Sequence, residues 1–470
     1  MIVVLSQGCA ANFGDGEKIA RILSQKSEVI FEFPEAKPAH STRAENSTSA
    51  ANPADFSTEK PEAFYLNVCT VKGNAGAMKL LRKAASTFPG VPIYITGCAP
   101  KDFREEALRT VPHVQFTSLK ELEDSAILPT QPAQSPSSLI NERTPDSNKV
   151  SRNVLRESPF VGIVNIEEGC LDACAFCSTH LVKGRLHSFA PQTIVDQVQA
   201  LVDDGCLEIQ LTGQDCACYG FDIGTNLAEL TQRILTHVNG NYRIRLGMGN
   251  PRHVLGYQEA LLDCFTDNRI YKFIHIPVQS GSENVLKAMN RRHTARDYAT
   301  LAHAFTERFR KFTLSTDLIV GYPGETDADF NDTLKLLKET RPTVCNITRF
   351  VARPGTVAAR LETSKPTHPE SAKKSAHLAP APLAIPDDIK HERSAILAEA
   401  FQKIALENNR EWIGDECTVV TEKQGYRAGT TIARNEAYRP VALQGSFPAG
   451  QTLRVRITDA EPFALIAKPL

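Results

Sequence analysis

No apolar run in the chain approaches the roughly 18 residues that a membrane-crossing helix needs, so a span is not expected. Excess charge is missing too. With 53 Lys and Arg against 54 Asp and Glu, the net charge is −1, which neither announces nor excludes a polyanion partner and leaves nucleic-acid contact to local patches. The opening "MIVVLSQGCAANFGDGE" lacks a basic segment and meets Asp15 and Glu17 early, unlike a secretory leader. A cytoplasmic location is the expectation. No repeat of fixed period emerges. What is present is cysteine: twelve in 470 residues, a number that in a reducing compartment points to metal or redox chemistry rather than a disulfide framework.

The length exceeds one ordinary core, and three Pro-, Ser- and Ala-rich stretches divide it: residues 34–62, 128–153 and 363–388. Such compositions bury too little apolar surface to offset ordering entropy and read as an inserted loop and two linkers. Residues 1–127 alternate short β-rich runs ("MIVVLS", "AFYLNVC", "VPIYITGC") with helical patterns, the mark of a doubly wound α/β domain. Between residues 154 and 362 six further runs, from "FVGIVNI" to "NITRFVA", alternate with helices and predict a parallel sheet curved into a full or partial barrel. A connecting helix is expected over 389–411. Residues 412–470 hold β-rich runs broken by Gly, Pro and Asn, which predict a small all-β barrel.

The sharpest signal is "EEGCLDACAFCSTH", with Cys170, Cys174 and Cys177 spaced Cys-x3-Cys-x2-Cys just after the first strand of the βα series. A closed structural zinc site or an ordinary iron-sulfur cluster uses four ligands, and no fourth thiol is nearby in sequence. Three thiolates can instead hold three irons of a [4Fe-4S] cube and leave the fourth open. A zinc knuckle with a distant fourth ligand is the plainer alternative. The C-terminal ends of barrel strands are where chemistry is expected, and the loop lies there.

Cys9, Cys69 and Cys98 each follow a β-rich run of the first domain, so strands laid side by side would bring the three together. Three unrelated core cysteines are the alternative. Gly8 and Gly97, directly before two of them, fit a tight ligand loop better.

The spacing, with Phe176 before the last cysteine, resembles the radical S-adenosylmethionine superfamily. Together with the first domain it resembles the methylthiotransferases of that superfamily. The resemblance implies a radical-generating [4Fe-4S] cluster on Cys170, Cys174 and Cys177, an auxiliary [4Fe-4S] cluster on Cys9, Cys69 and Cys98, S-adenosylmethionine, and an electron donor of the flavodoxin or ferredoxin type. It places Phe176, Gly213, Gln214, Gln279, Ser280 and Glu325 at the cofactor pocket; for Glu325 the alternative is a solvated loop beside a helix cap at Thr326. Lys183 stands where the family has Arg, with Arg185 nearby, and loses the planar fork of a guanidinium. Cys216 and Cys218 in "GQDCACYG" depart from the family pattern, which has no thiols there; with Cys206, Cys264, Cys345 and Cys417 they are expected to be structural.

The runs "YGFDIGTN" and "RLGMGNP" are most similar to the archaeal and eukaryotic branch acting on threonylcarbamoyladenosine in tRNA. Branches acting on isopentenyladenosine in tRNA or on a ribosomal-protein aspartate are the alternatives within the class, and a non-catalytic iron-sulfur RNA-binding protein is the alternative outside it. The last domain resembles the TRAM barrel, implying contact with a tRNA anticodon stem-loop. Its seven Lys and Arg against six Asp and Glu make no strong polyanion trap. Lys423, Arg427, Arg434, Arg439, Arg454 and Arg456 are expected on one face, with Tyr426 and Tyr438 as stacking surfaces.

Overall fold

The structure, a computed structural model, describes residues 1–34, 60–69, 74–127, 155–363 and 384–470. Residues 35–59, 128–153 and 364–383, the bulk of the expected loop and linkers, lie outside the described residues. The chain divides into two compact units, Met1–Glu157 and Ser158–Leu470.

In the first unit β1 (Ile2–Ser6), β2 (Val29–Ile30), β3 (Ala63–Val68), β4 (Ile93–Gly97) and β5 (Gln115–Phe116) form one sheet in the order β2-β1-β3-β4-β5. Every pairing is parallel. Successive strand residues point to opposite faces, so Val3, Leu5, Phe64 and Leu66 enter one core with Met78, Leu81 and Phe103. Ile2, Val4 and Tyr65 enter the other with Ile19, Leu23 and Leu122. Both faces are covered, and all six residues of β3 are buried. The doubly wound expectation is met; the two-residue strands β2 and β5 carry too little pattern to be read in advance.

The second unit begins with β6 (Val161–Asn165), the two-residue pair β7 (Glu167–Glu168) and β8 (His187–Ser188), then β9 (Glu208–Thr212), β10 (Arg243–Leu246), β11 (Phe273–His275), β12 (Thr313–Val320) and β13 (Val344–Arg349). Two three-stranded parallel sheets, β6-β9-β10 and β11-β12-β13, are joined by a parallel bridge between Ile244 and Ile270. The six expected strands are there as a partial barrel. A long helix, Asp387–Arg410, follows close to its expected span and buries Leu397, Phe401 and Ile404.

The closing barrel consists of β14 (Glu416–Gln424), β15 (Thr430–Asn435), β16 (Pro440–Gln444), β17 (Thr452–Glu461) and β18 (Ala464–Pro469), closed in the order β14-β15-β16-β18-β17. Val419, Ala433, Val441, Leu443, Val455, Ile457 and Leu465 fill it. Two expectations for its surface are corrected. The Tyr438 ring is not free for stacking: it packs against Tyr271 and Phe273 at centroid distances of 4.9 and 5.2 Å, and its hydroxyl donates to Glu208 Oε1 at 2.9 Å. Arg439 is buried too, donating to Asn409 Oδ1 and, at 3.2 Å, to Thr343 Oγ1. Both residues therefore dock the small barrel on the large one. Tyr426 stands out in solvent at 93 % exposure.

Glu325 sits at the other end of the barrel. Its Oε2 accepts from the Gly321 and Tyr322 amides and its Oε1 from Arg393 Nη1 at 3.2 Å, on the long helix. Thr326 next to it caps the following helix in a reciprocal box with Asp329. Glu325 and Arg393 are both buried, and burial raises the Glu325 carboxyl despite the guanidinium. Removing one partner leaves a buried charge unmatched. Arg393→Ala is expected to destabilise the second unit by about 3–5 kcal/mol, seen as a lower urea midpoint; an unchanged midpoint would show the pair to be dispensable.

Candidate functional site

In the first unit the three neighbouring strands β1, β3 and β4 all end at cysteines. Cys69 follows β3 and Cys98 follows β4 directly, and Cys9 caps the helix Ala10–Leu23 after β1. The Cys98 amide donates to Val68 O at 2.8 Å, and the Cys9 and Cys69 thiols are hydrogen-bonded, which raises the Cys9 thiol above its ordinary range. Gly8, at φ +118°, leaves no room for a side chain, because a Cβ there would overlap Cys69. Gly97, at φ +81°, is hemmed by Asn67 Oδ1, Val68 O and Asn12 Oδ1.

A reciprocal asparagine pair holds this end of the sheet. Asn12 Nδ2 donates to Gln7 O at 2.7 Å and Asn67 O at 2.9 Å, while Asn67 Nδ2 donates to Asn12 O and to Ser6 Oγ. The side-chain oxygens of both have no partner among the described residues although both are buried, a costly arrangement in a settled core. Three soft donors are thus presented by glycine-relieved loops at adjoining strand ends.

In the second unit the loop after β7 carries Cys170, Cys174 and Cys177, all partly exposed. The Cys170 amide donates to Gly184 O at 3.3 Å, the Asp172 amide to Cys170 Sγ at 3.3 Å, and the Cys177 amide to Cys174 O at 3.0 Å. Arg291 reaches in from the segment after β11, with Nη1 donating to Cys174 Sγ at 3.4 Å and Nη2 to Pro277 O at 2.8 Å. Burial pushes the Cys174 thiol up to about 11, and the guanidinium works against it. Phe176 packs against Val285, Met289, Tyr322, Phe350 and Ala358.

Asp172, inside the cysteine loop, is buried and clamped from the end of β10. It accepts from Asn250 Nδ2, from Arg252 Nη1 at 2.6 Å and from His253 Nε2 at 3.1 Å. Burial would raise this carboxyl, but the His253 hydrogen bond and the charges of His253, Arg252 and Arg291 hold it at about 2. Asp215, after β9, is raised by burial; its Oδ1 accepts from the Ala217 and Asn250 amides at 3.2 and 2.9 Å. Glu167 is fully buried and pushed well up by desolvation, its Oε1 accepting from the Asp215 amide at 2.9 Å.

The expected cofactor residues divide into two groups. Gly213 lies against Glu167 with no space for a Cβ, and Gln214 Oε1 accepts from the Gly169 amide at 2.6 Å, so the end of β9 is tied to the cysteine loop. Phe176 belongs to that loop. Gln279 is held at φ +78° with its amide donating to Asp317 O and its carbonyl accepting from the Ile319 amide, both at 2.8 Å. By contrast, Ser280 Oγ faces Thr333 Oγ1 at 3.1 Å and accepts from the Ser282 amide, and the Glu325 carboxylate is occupied as described above. Those two side chains hold loops together. Lys183 pairs with Glu168 at 3.2 Å, and His275 with Asp317 at 3.0 Å.

Asp172, Arg252, His253 and Arg291 were not singled out from the sequence, and Asn250 entered only as part of the run "RLGMGNP". The one available signal was a charged residue inside a cysteine loop, which demands a partner. Cys216 and Cys218 sit on a short 3-10 turn and are wholly buried. Cys216 Sγ points to Leu211 O at 3.9 Å beneath Gly247, a packing role. Cys218 lies beside Cys170.

Residues 164–337 match the Radical SAM superfamily and residues 410–470 the TRAM domain. Among curated proteins, the chain is 40% identical over 305 residues to the probable threonylcarbamoyladenosine tRNA methylthiotransferase of Archaeoglobus fulgidus, covering 65% of this chain and 66% of that protein. It is 32% identical over 451 residues to the Pyrococcus horikoshii protein of the same name, covering 94% and 93%. To the human threonylcarbamoyladenosine tRNA methylthiotransferase it is 28% identical over 477 residues, covering 100% and 74%.

Two outcomes follow from this geometry. Gly97→Ala forces a Cβ into Asn67 and Val68 and displaces Cys98, so in a background with Cys170, Cys174 and Cys177 changed to Ala it is expected to lose most bound iron. Retained iron would disconnect Cys98 from metal binding. Asp172→Ala leaves the His253, Arg252 and Asn250 donors without their acceptor and is expected to lower the iron content of the barrel site several-fold, measured with Cys9, Cys69 and Cys98 changed to Ala.

Proposed function

We propose, from the premise that the chain belongs to the threonylcarbamoyladenosine tRNA methylthiotransferase family, that it converts N6-threonylcarbamoyladenosine, at the tRNA nucleotide just 3′ of the anticodon, to its 2-methylthio derivative. The observation that carries this reading is the pair of three-cysteine sets, one at adjoining strand ends of the first unit and one in a clamped loop of the second. A passive RNA-binding scaffold has no use for two such cysteine sets in separate units. A radical S-adenosylmethionine enzyme of this family uses a [4Fe-4S] cluster and S-adenosylmethionine; the second cluster belongs to the present reading.

Cys170, Cys174 and Cys177 would hold the radical-generating cluster, and Cys9, Cys69 and Cys98 the auxiliary one. Bound together, the first cluster and S-adenosylmethionine would supply one-electron cleavage of the sulfonium, which opens an unreactive C–H bond, and the second would deliver the methylthio unit, its methyl group drawn from another S-adenosylmethionine and its sulfur from a donor not identified. The chain's own residues position and shield this chemistry. Arg291 neutralises the Cys174 sulfur, and the Asn250, Arg252 and His253 donors fix the loop through Asp172. Phe176 and its apolar neighbours exclude water from the flank of the loop. Gln214 ties the end of β9, where the superfamily meets the amino group of S-adenosylmethionine, to the same loop.

On the small barrel, exposed Tyr426 offers a stacking ring for the anticodon arm beside Lys423 and Arg427, the latter paired with Glu461 at 3.1 Å on the surface. An electron donor of flavodoxin or ferredoxin type and a cytoplasmic location complete the reading. Among the described residues no helix is long and apolar enough to cross a membrane.

The test is nucleoside mass spectrometry of tRNA from a host that makes threonylcarbamoyladenosine but lacks its methylthiolating enzyme. The 2-methylthio nucleoside is expected with the parent and absent with Cys170→Ala. Cys9→Ala is expected to lose the product while still releasing 5′-deoxyadenosine from S-adenosylmethionine in vitro. Cluster-loaded parent that leaves this nucleoside untouched would defeat the substrate assignment, and isopentenylated tRNA and ribosomal protein would be assayed next.

A further inference from the structure

Cys218 is the buried thiol that neither the packing of the barrel nor the proposed ligand sets account for. It lies on the turn after β9, wholly buried, with its sulfur, the Cys170 sulfur and an Asp215 carboxylate oxygen all within 4.8 Å of one another. The Cys218 thiol thus lies beside the Cys170 sulfur, inside the polypeptide and away from solvent. Asp215 is already engaged: its Oδ1 takes the Ala217 and Asn250 amides, and its Oδ2 lies 3.7 Å from His253 Nε2. With Asp215 Oδ1 taken, the Cys170 sulfur is an acceptor that the Cys218 S–H can face. Cys216, two residues away, points instead to the backbone of β9.

We infer that Cys218 donates an S–H···S hydrogen bond to the Cys170 thiolate and thereby raises the reduction potential of the radical-generating cluster. A hydrogen bond to a ligating sulfur withdraws negative charge from it and favours the reduced cluster, which carries one more electron. Arg291 acts in the same direction on Cys174, so two of the three ligand sulfurs carry a donor from outside their own loop. In this role Cys218 is a positioning residue that acts through Cys170. The inference rests on the assignment of the barrel cluster proposed above.

The experiment is a redox titration followed by electron paramagnetic resonance, with Cys9, Cys69 and Cys98 changed to Ala so that the barrel cluster alone reports. Cys218→Ala is expected to move the midpoint to a more negative potential. Cys218→Ser, which keeps an O–H donor, is expected to restore most of the shift, and Cys216→Ala to leave the midpoint unchanged. A midpoint indifferent to Cys218→Ala, or Ser and Ala variants that shift alike, would overturn the inference. So would a parent cluster whose spectrum ignores S-adenosylmethionine while that of Cys218→Ala responds, because Cys218 would then be a ligand at the open iron. Absence of any cluster signal in the parent would defeat the cluster assignment and this inference together, whereas a normal cluster that ignores Cys218 defeats the inference alone.

Discussion

The clamp on Asp172 is the interaction on which the barrel site depends. A carboxylate taken out of water costs several kcal/mol unless it is fully partnered, and this one sits between Cys170 and Cys174, where its position fixes theirs. Its partners, Asn250, Arg252 and His253, come from a single turn at the end of β10. The thiols of a loop after the first barrel strand are therefore placed by the third. Arg291 adds a second anchor from beyond β11, and Gln214 a third from β9. The loop has little regular structure of its own; three separate segments hold it in place.

The two cysteine sets solve the same problem by different means. In the barrel, closeness is bought locally by sequence spacing and then made rigid by long-range polar contacts. In the first unit it comes from topology: a parallel sheet puts the ends of β1, β3 and β4 on one edge, and turns without side chains at Gly8 and Gly97 let the three loops approach. The Asn12 and Asn67 pair ties two of those loops across 55 residues. It does so with both side-chain oxygens unpartnered among the described residues, an unfavourable state that each asparagine offsets with two donated hydrogen bonds.

Both cysteine sets and their places at strand ends were legible in the sequence, because thiols are scarce enough for spacing to carry chemistry and strand runs are short enough to locate. The alternation of β-rich and helical runs gave the three kinds of domain. What escaped was direction and partnership. Ser280 and Glu325 lie in the right segments, but a motif fixes where a residue is and not which way its side chain turns; one closes a turn onto Thr333 and the other pairs with Arg393, 68 residues on. Asp172 could be seen to need a partner, yet His253 is 81 residues away and nothing in either segment names the other. Tyr438 read as a stacking surface because it lies among polar and basic residues; its positive φ of 58° and the aromatic wall that receives it are tertiary facts.

The docking of Tyr438 bears on how a nucleic acid could use this chain. Its contacts, Glu208, Tyr271 and Phe273, lie at or just before the starts of β9 and β11, whereas the cysteine loop lies near the opposite, C-terminal ends of the strands. The small barrel is thus docked under the large one, and a five-residue strand places the two ends about 17 Å apart. Arg439, bonded to the long helix at Asn409 and to Thr343 before β13, makes that docking firm. On the proposed function, an RNA held by the small barrel would have to reach from the side where the strands begin to the side where they end to present a base at the cysteine loop. On the same proposal, such reach would suit an extended stem-loop whose target nucleotide is splayed from its end, with the small barrel setting distance and orientation and the base read elsewhere.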